Sequence, residues 1–485
     1  MTSAASSVDS SVTRKVVVST TTQVAAKVLH LVLNIVSTLA IVRHLAPGAY
    51  GVYVLVLTVT TIVGLVADFG LPKVAVREVS AAGANENDIV GTIVALRLLL
   101  AVAGIVVTQV VLLAMRQPPS ALLAAAVASL VFLSEAVLAA IVVSFQVRLV
   151  QQVEAFIRTG AELVETAAIV VLVAVSADLV WLFVPPVVGS ALGALVAFRL
   201  ARGRFGVRIR FSRGLVRMLM RESLPIAPAL LLSVLYRKLD SLSLAAMRPS
   251  REVGLYGSAA QPIEYYFLTT ALFINVMFPL LSRAYGDQER QRFLNLYRRG
   301  AEALIAFTVI VPVLLLFAAR PLVRQVYGPG YAQAAVPLVL LSVAMVFLVL
   351  AVWQSLALLI GGYQRVTLHY NALTLLVAPV LCVGLIARFG IVGAGCAAVG
   401  IAVFVVGASA WAVRRHLGIR LEVRGVVRVL AAAAVSVAVT GAVALLRESQ
   451  GLFAPWPLLV IIALVAYVAA LFVLRVPRAL REVLA

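Results

Sequence analysis

Charge is scarce in this sequence. Asp, Glu, Lys and Arg together make up 12% of its 485 residues, too little polar surface to coat a soluble chain of that size. Cysteine is nearly absent: Cys382 and Cys396 lie in apolar segments and form no CxxC pair. Both read as small core residues and not as redox or metal ligands. There is no HExxH, no Walker lysine motif and no Cys/His cluster, so no cofactor is expected and nothing in the chain is equipped to hydrolyse ATP. Asp68, Phe69 and Gly70 spell the metal-binding triplet of kinases, but no phosphate loop or catalytic loop accompanies them. Gly70 and Pro72 read instead as the stop signal of a helix. Acidic residues are half as numerous as basic ones, 20 against 40, leaving a net charge of +20. In a soluble protein that excess would point to nucleic acid. At the ends of membrane spans basic residues set orientation, so no nucleic-acid partner is expected.

Apolar residues are abundant. They make up 63% of the chain, and the mean hydropathy is +1.08. Runs long enough to cross a bilayer as helices fall near 20–41, 50–69, 90–114, 120–144, 160–177 and 181–198. A second set follows near 223–246, 254–280, 300–318, 334–360, 367–387 and 391–412, with two more at 427–446 and 457–476. The expectation is an all-α polytopic membrane protein of about fourteen transmembrane helices. Two parallel six-helix bundles, 20–198 and 223–412, are joined by a basic linker, 199–222. A tail, 1–19, precedes them; a basic loop, 413–426, and two extra helices with a tail, 427–485, follow. The length of the first run and its internal Lys27 argue against a cleaved signal peptide.

With the N-terminus placed in the cytoplasm, 28 Lys and Arg lie on that side, 8 on the opposite side and 4 within spans, accounting for all 40. This asymmetry predicts that both termini are cytoplasmic. The linker is the most basic stretch, with eight arginines from Arg199 to Arg221, including the alternating run Val207 to Phe211. It reads as an anchor on anionic lipid. The opposite loops are short and leave no room for an exposed enzymatic domain.

The seventh span places Arg237, Lys238 and Asp240 where hydrocarbon is normally found. Three such charges cost on the order of 8 to 10 kcal/mol unless they face protein or water, and pairing of Arg237 with Asp240 one turn away recovers part of that. A repeat sets this helix in context. Tyr50, Gly51, Val52, Tyr53 and Val253, Gly254, Leu255, Tyr256 are offset by 203 residues. The first span carries Gln23, Lys27, His30, Asn34 and Thr38 on one face, and the same offset maps His30, Asn34, Ser37 and Thr38 onto Ser233, Arg237, Asp240 and Ser241. Thr58 and Thr61 map onto Gln261 and Glu264. An even number of spans between the copies predicts parallel repeats around a polar site. The candidate substrate-binding residues are therefore Lys27, His30, Asn34, Arg237, Lys238, Asp240 and Gln261. Asp240, Glu264 and Glu135 are the ion-coupling candidates; for Glu135 a cavity role and a salt bridge to another helix stand side by side. Interhelical hydrogen bonding is the alternative for Ser and Thr. Arg97, Glu162, Glu165 and Glu302 are expected to snorkel toward the cytoplasmic side, and Gln354, His369 and Asn371 to serve helix packing.

Arg43, His44, Leu45 and Pro47 leading into Tyr50 to Tyr53, then Asp68 to Leu71 and Arg77, resemble the opening of bacterial polysaccharide flippases, the oligosaccharide-lipid branch of the multidrug/oligosaccharidyl-lipid/polysaccharide exporter superfamily. Tyr236 to Asp240 followed by Val253 to Tyr256, and Gly390 to Gly395, resemble it too. The resemblance spans roughly residues 18–412. It implies transfer of an undecaprenyl-diphosphate-linked oligosaccharide from the cytoplasmic to the outer leaflet of the bacterial cytoplasmic membrane, by alternating access between two bundles. It also implies membrane lipids, a glycan polymerase and other polysaccharide assembly proteins as partners. Many members have twelve spans. Fourteen also resembles lipid II flippases, which place several arginines in the first two spans where this chain has Lys27. Two alternatives are weighed. A multidrug exporter of the same superfamily favours an acidic cavity, whereas Lys27, Arg237 and Lys238 outnumber Asp240 and Glu264. A membrane glycan polymerase or ligase resembles a chain with a large external loop, which is lacking.

Overall fold

The computed structural model describes residues 25–68, 70–79, 86–148, 150–205, 210–224, 226–287, 289–419, 423–449 and 455–474. Among these the regular structure is helical, and eleven helices are long and apolar enough to cross a membrane. The chain is a polytopic all-α membrane protein. Two further helices, Gln151–Ala174 and Ile226–Met247, carry too many charges to be counted with the eleven. The longest, Gln364–Leu417, is interrupted at Gly390, whose φ of 55° and ψ of −129° are not helical. Counting those two helices, and one span on each side of Gly390, turns eleven into the fourteen apolar segments of the sequence.

The chain divides into two compact units, one ending at Val234 and one beginning at Leu235. The division falls inside a helix and not in the basic linker. The first unit contains α1 (Ala25–His44), α2 (Pro47–Asp68), α3 (Leu71–Val79), α4 (Glu86–Ala114), α5 (Pro119–Ser129), α6 (Val131–Val147), α7 (Gln151–Ala174), α8 (Val184–Phe205) and α9 (Arg213–Ser223). Gly70 takes a positive φ of 70°, so α2 stops there as the sequence predicts. The short helices α3 and α9 are amphipathic. On α9, Arg213, Arg217 and Arg221 recur every four residues on the exposed face, while Leu219 packs with Leu71 of α3, Ile93 of α4 and Val143 of α6. Part of the basic linker is thus a helix whose apolar side is buried. The alternating run from Val207 lies outside the described residues up to position 209. Arg148 clamps the end of α6 to the start of α4 through a two-pronged pair with Glu86, at 2.5 and 2.7 Å.

The second unit contains most of α10 (Ile226–Met247), then α11 (Ser250–Gly286), α12 (Arg290–Tyr327), α13 (Ala335–Ile360), α14 (Gln364–Leu417), α15 (Val423–Ser449) and α16 (Trp456–Val473). The last two helices pack on α12 around Ile305, Val309, Val429, Ala463 and Tyr467. Two hydrogen bonds fix the arrangement: Tyr467 Oη donates to the Ala306 carbonyl at 2.9 Å, and Ser436 Oγ to that of Ala463 at 2.7 Å. Polar atoms in such apolar surroundings need partners. Gln354, fully buried, accepts from Ser409, and Trp353 Nε1 donates to the Tyr297 carbonyl at 3.1 Å. Cys382 is buried and Cys396 partly so, and both are free thiols.

Candidate functional site

Each unit has its own polar cavity. In the first unit the cavity has a volume of about 480 Å³ and is lined by Lys27 and His30 of α1, Glu135 of α6, and Glu154, Arg158, Glu162 and Glu165 of α7. The stripe on α1 therefore has a partner within its own unit. Glu154, Arg158, Glu162 and Thr166 recur every four residues along α7, which puts them on one face. Asn34 Nδ2 donates to Glu162 Oε1 at 2.6 Å, His30 Nδ1 lies 3.2 Å from Glu162 Oε2, and Ser37 Oγ donates to Thr166 at 3.0 Å. The other imidazole nitrogen, Nε2, is 3.2 Å from Asn34 Nδ2. With Nδ1 donating to the carboxylate, Nε2 is the acceptor, so a proton arriving there must displace the Asn34 amide.

Arg158 is shared. Its Nε donates to Glu154 at 3.1 Å and its Nη1 to Glu135 at 3.4 Å. The two readings of Glu135 thus coincide: it faces the cavity and it pairs with another helix. Lys27 is exposed and has no carboxylate within ion-pair distance among the described residues. Glu162 and Glu165 do not snorkel away from this site. They line it, because α7 turns its acidic face toward α1. The four-residue recurrence of Glu154, Arg158 and Glu162, with Glu165 three residues further on, was the available signal. Gln23 lies outside the described residues.

Arg97 also differs from expectation. It is 7% exposed, and its Nη1 lies 2.6 Å from Asp68 at the end of α2. Burial forces a guanidinium to find an anion, and Asp68 is the carboxylate that α2 delivers. A second cavity of the first unit, about 450 Å³, contains this pair and is otherwise mostly apolar.

In the second unit α10 supplies Tyr236, Arg237, Lys238, Asp240 and Ser241 to a cavity of about 120 Å³, closed by Glu264 and Phe267 of α11 and by apolar residues of α13 and α14. The expected pairing of Arg237 with Asp240 does not form. Asp240, 9% exposed, accepts from Tyr256 Oη at 2.5 Å and from the Ser241 backbone N–H at 2.6 Å. The buried carboxylate takes the Tyr256 hydroxyl that α11 presents and the N–H of the next residue on its own helix, while the exposed Arg237 lies over Phe267. Lys238 pairs with Glu264. Arg237 lies over the Phe267 ring, 4.6 Å from its centroid, and has no carboxylate partner among the described residues. Stacking occupies the face of a guanidinium and leaves its N–H groups, which lie in the plane, available to an anion.

Gln261 is not brought to this cavity: it donates to Tyr265 Oη at 3.0 Å. The Ser233 side chain lies outside those described. No group of three or more metal-ligating side chains occurs among the described residues.

A family model for polysaccharide biosynthesis proteins matches residues 12–285, more than half of the chain. The chain belongs to that family. Its fold is also that of a lipid II flippase, MurJ, in an inward closed conformation, with a TM-score of 0.77 at 11% identity over 96% of this chain and 99% of that one. An inward-facing multidrug resistance MATE transporter matches with a TM-score of 0.64 at 14% identity, covering 80% and 95% of the two chains. The eukaryotic MATE transporter AtDTX14 matches with 0.60 at 14% identity, covering 83% and 95%. At these identities the likeness is one of fold. No curated protein sequence matches the chain.

Proposed function

We propose that the protein is a flippase that moves an undecaprenyl-diphosphate-linked oligosaccharide from the cytoplasmic to the outer leaflet of the bacterial cytoplasmic membrane by alternating access. Both termini are then cytoplasmic. The observation that carries this reading is Arg237, a guanidinium in a largely apolar cavity with its face on Phe267 and no carboxylate paired with it among the described residues. A diphosphate is the ligand such a fork suits, through paired charge-assisted hydrogen bonds. Membership of a polysaccharide biosynthesis family supports a glycan as the cargo.

In this reading Arg237 takes the diphosphate, and Lys238 leaves Glu264 to join it, since substrate phosphate and carboxylate compete for the same ammonium. The lipid tail stays in the bilayer. An inside-negative potential favours outward movement of two negative charges by about 4 to 5 kcal/mol at 100 mV. Glu135, Glu264 and Asp240 are the groups for any coupled ion, and Lys27, His30 and Asn34 the polar contacts of the first unit. Each unit serves as one six-helix bundle of the cycle, with α15 and α16 as additions. A glycan polymerase takes the delivered lipid.

The test is reconstitution of purified protein into vesicles with a fluorescent lipid-linked oligosaccharide. Flipping should be lost in Arg237→Ala, and equal rates in that variant and the unaltered protein would overturn the reading. A second reading, export of organic cations, is favoured by one observation: the cavity of the first unit is lined by four carboxylates, at Glu135, Glu154, Glu162 and Glu165, against the cations Lys27 and Arg158. Uptake of a cationic dye by the same vesicles decides between the two.

A further inference from the structure

A third polar cavity, about 570 Å³, lies in the second unit, away from Arg237. Three connections build it: the turn from α10 to α11 with Arg248, Arg251 and Glu252, the end of α12 with Arg320 and Arg324, and the break in α14 at Gly390. All three connections occur at the same end of their helices, the end that the charge asymmetry assigns to the outer face. Only 8 of the 40 basic residues are on that side. Four of the 8 line this one cavity, and a fifth, Arg388, directly precedes its lining residue Phe389. Basic residues are disfavoured on the outer side of membrane proteins, so this concentration calls for a ligand and not for an orientation signal.

Countercharge within the cavity is meagre. Among the described residues Glu252 is the one lining carboxylate, and it already accepts from Arg248 Nε at 3.0 Å. Arg251, Arg320 and Arg324 are exposed and have no carboxylate partner among the described residues. The lining therefore carries three positive charges in excess, and a cleft of one sign focuses field and concentrates anions.

The site also has a fixed corner. A Cβ on Gly390 would lie 2.6 Å from Arg248 Nη2 and 2.8 Å from Glu252 Oε2. The left-handed break in α14 thus brings backbone directly against that ion pair and holds one guanidinium in place. Beside the cations stand exposed apolar side chains, Phe389 at 60% and Val336 at 42%. A polyanionic head joined to a hydrocarbon chain satisfies both features. Three uncompensated guanidiniums match a diphosphate better than the single charge of a phosphodiester headgroup.

We propose that this four-arginine cavity is a second binding site, for the diphosphate head of a prenyl lipid at the outer face. The inference rests on the flippase reading: the cavity would hold the lipid after transfer.

The test is calorimetric binding of farnesyl diphosphate and of inorganic pyrophosphate to the full chain in neutral-lipid nanodiscs, in the Arg237→Gln background so that the first site is silent. One saturable site is expected for both probes. It should weaken at least tenfold when Arg320→Gln and Arg324→Gln are added, and less than threefold when both become Lys. Arg251→Gln alone, expected to weaken binding severalfold, serves if the triple variant does not fold. Undiminished binding in all of these variants, or displacement of the probes by phosphatidylglycerol at equal concentration, overturns the proposal. Failure of the unaltered protein to flip lipid-linked oligosaccharide, with probe binding still dependent on Arg320 and Arg324, sinks the flippase reading and leaves the diphosphate site standing.

Discussion

In the first unit the charges facing the cavity are mostly carboxylates; His30 and Asn34 both answer Glu162, and Arg158 is shared between Glu135 and Glu154. In the cavity of the second unit that contains Arg237, acids and bases are equal in number, yet Lys238 and Tyr256 take up the two carboxylates and leave one guanidinium over. The sign a cavity presents is set by which charges remain uncompensated, and not by the sum along a helix. Counting Lys27, Arg237 and Lys238 against Asp240 and Glu264 makes the site mildly basic. The structure separates that count into an acid-rich pocket suited to cations and a pocket with a free fork suited to anions. A flippase driven by an ion needs both kinds of site, and they need not lie on the same helix.

The largest effect expected from breaking this contrast is at Arg237. Losing a two-pronged, charge-assisted contact costs about 2 to 3 kcal/mol, roughly a 30- to 150-fold loss of flipping. Arg237→Lys should keep part of it. Because Asp240 is satisfied by Tyr256 and the Ser241 N–H, Arg237→Ala protein should accumulate normally in membranes, and adding Asp240→Ala should restore nothing. Low abundance of Arg237→Ala, rescued by Asp240→Ala, would return Arg237 to a structural role.

Next in size is a contrast between two helix breaks. In the first unit α5 meets α6 at Leu130, whose φ of −61° and ψ of −22° any residue can adopt. In the second unit α14 breaks at Gly390, where φ is positive and Arg248 and Glu252 crowd the missing Cβ. Gly390→Ala should cost about 1 to 3 kcal/mol, read as a lowered thermal midpoint. Leu130→Ala, at an exposed side chain, should leave the midpoint almost unchanged. Equal shifts would deny the second unit its special backbone.

A smaller effect tests the first cavity. Neutralising Glu162→Gln and Glu165→Gln together should weaken binding of a cationic dye about tenfold, the size of a single charge-assisted contact. Farnesyl diphosphate binding should be unaffected. Arg237→Ala should leave dye binding unchanged and remove one of the two farnesyl diphosphate sites, and a variant that moved both bindings alike would collapse the distinction between the cavities.

Much of this was legible from residue order. Runs of apolar residues located the helices, Gly70 marked the end of α2, and the gap between the runs 367–387 and 391–412 marked the break in α14. The polar stripe on α1 and the charges of α10 were both visible at helical spacing. The pairings were harder to read. Arg237 and Asp240 sit one turn apart, but a buried carboxylate takes whichever donor the neighbouring helix presents, and local spacing says nothing about that donor. Glu162 and Glu165 resembled interfacial charges because they lie near the end of a span, and the four-residue recurrence on α7 does not say which helix that face meets. Which face α7 turns inward depends on packing against α1 and α8. Arg97 and Asp68, 29 residues apart in sequence, have no periodic relation that could have paired them.

The smallest effect concerns Lys238 and Glu264, and it decides whether Lys238 is available to substrate. Their side chains are 23% and 42% exposed, so solvent screens the attraction, and a pair of this kind contributes about 0.2 to 1 kcal/mol. A buried lock would behave differently: removing one partner would cost about 3 to 5 kcal/mol, because the other charge would be left stranded. A double-mutant cycle with Lys238→Met and Glu264→Gln, read by thermal unfolding of the purified protein, should therefore return a coupling below about 1 kcal/mol. Such a value leaves the ammonium free to exchange Glu264 for a phosphate oxygen at little cost. Coupling of several kcal/mol would tie Lys238 to α11, and Arg237 would then be the single cation the second cavity can offer.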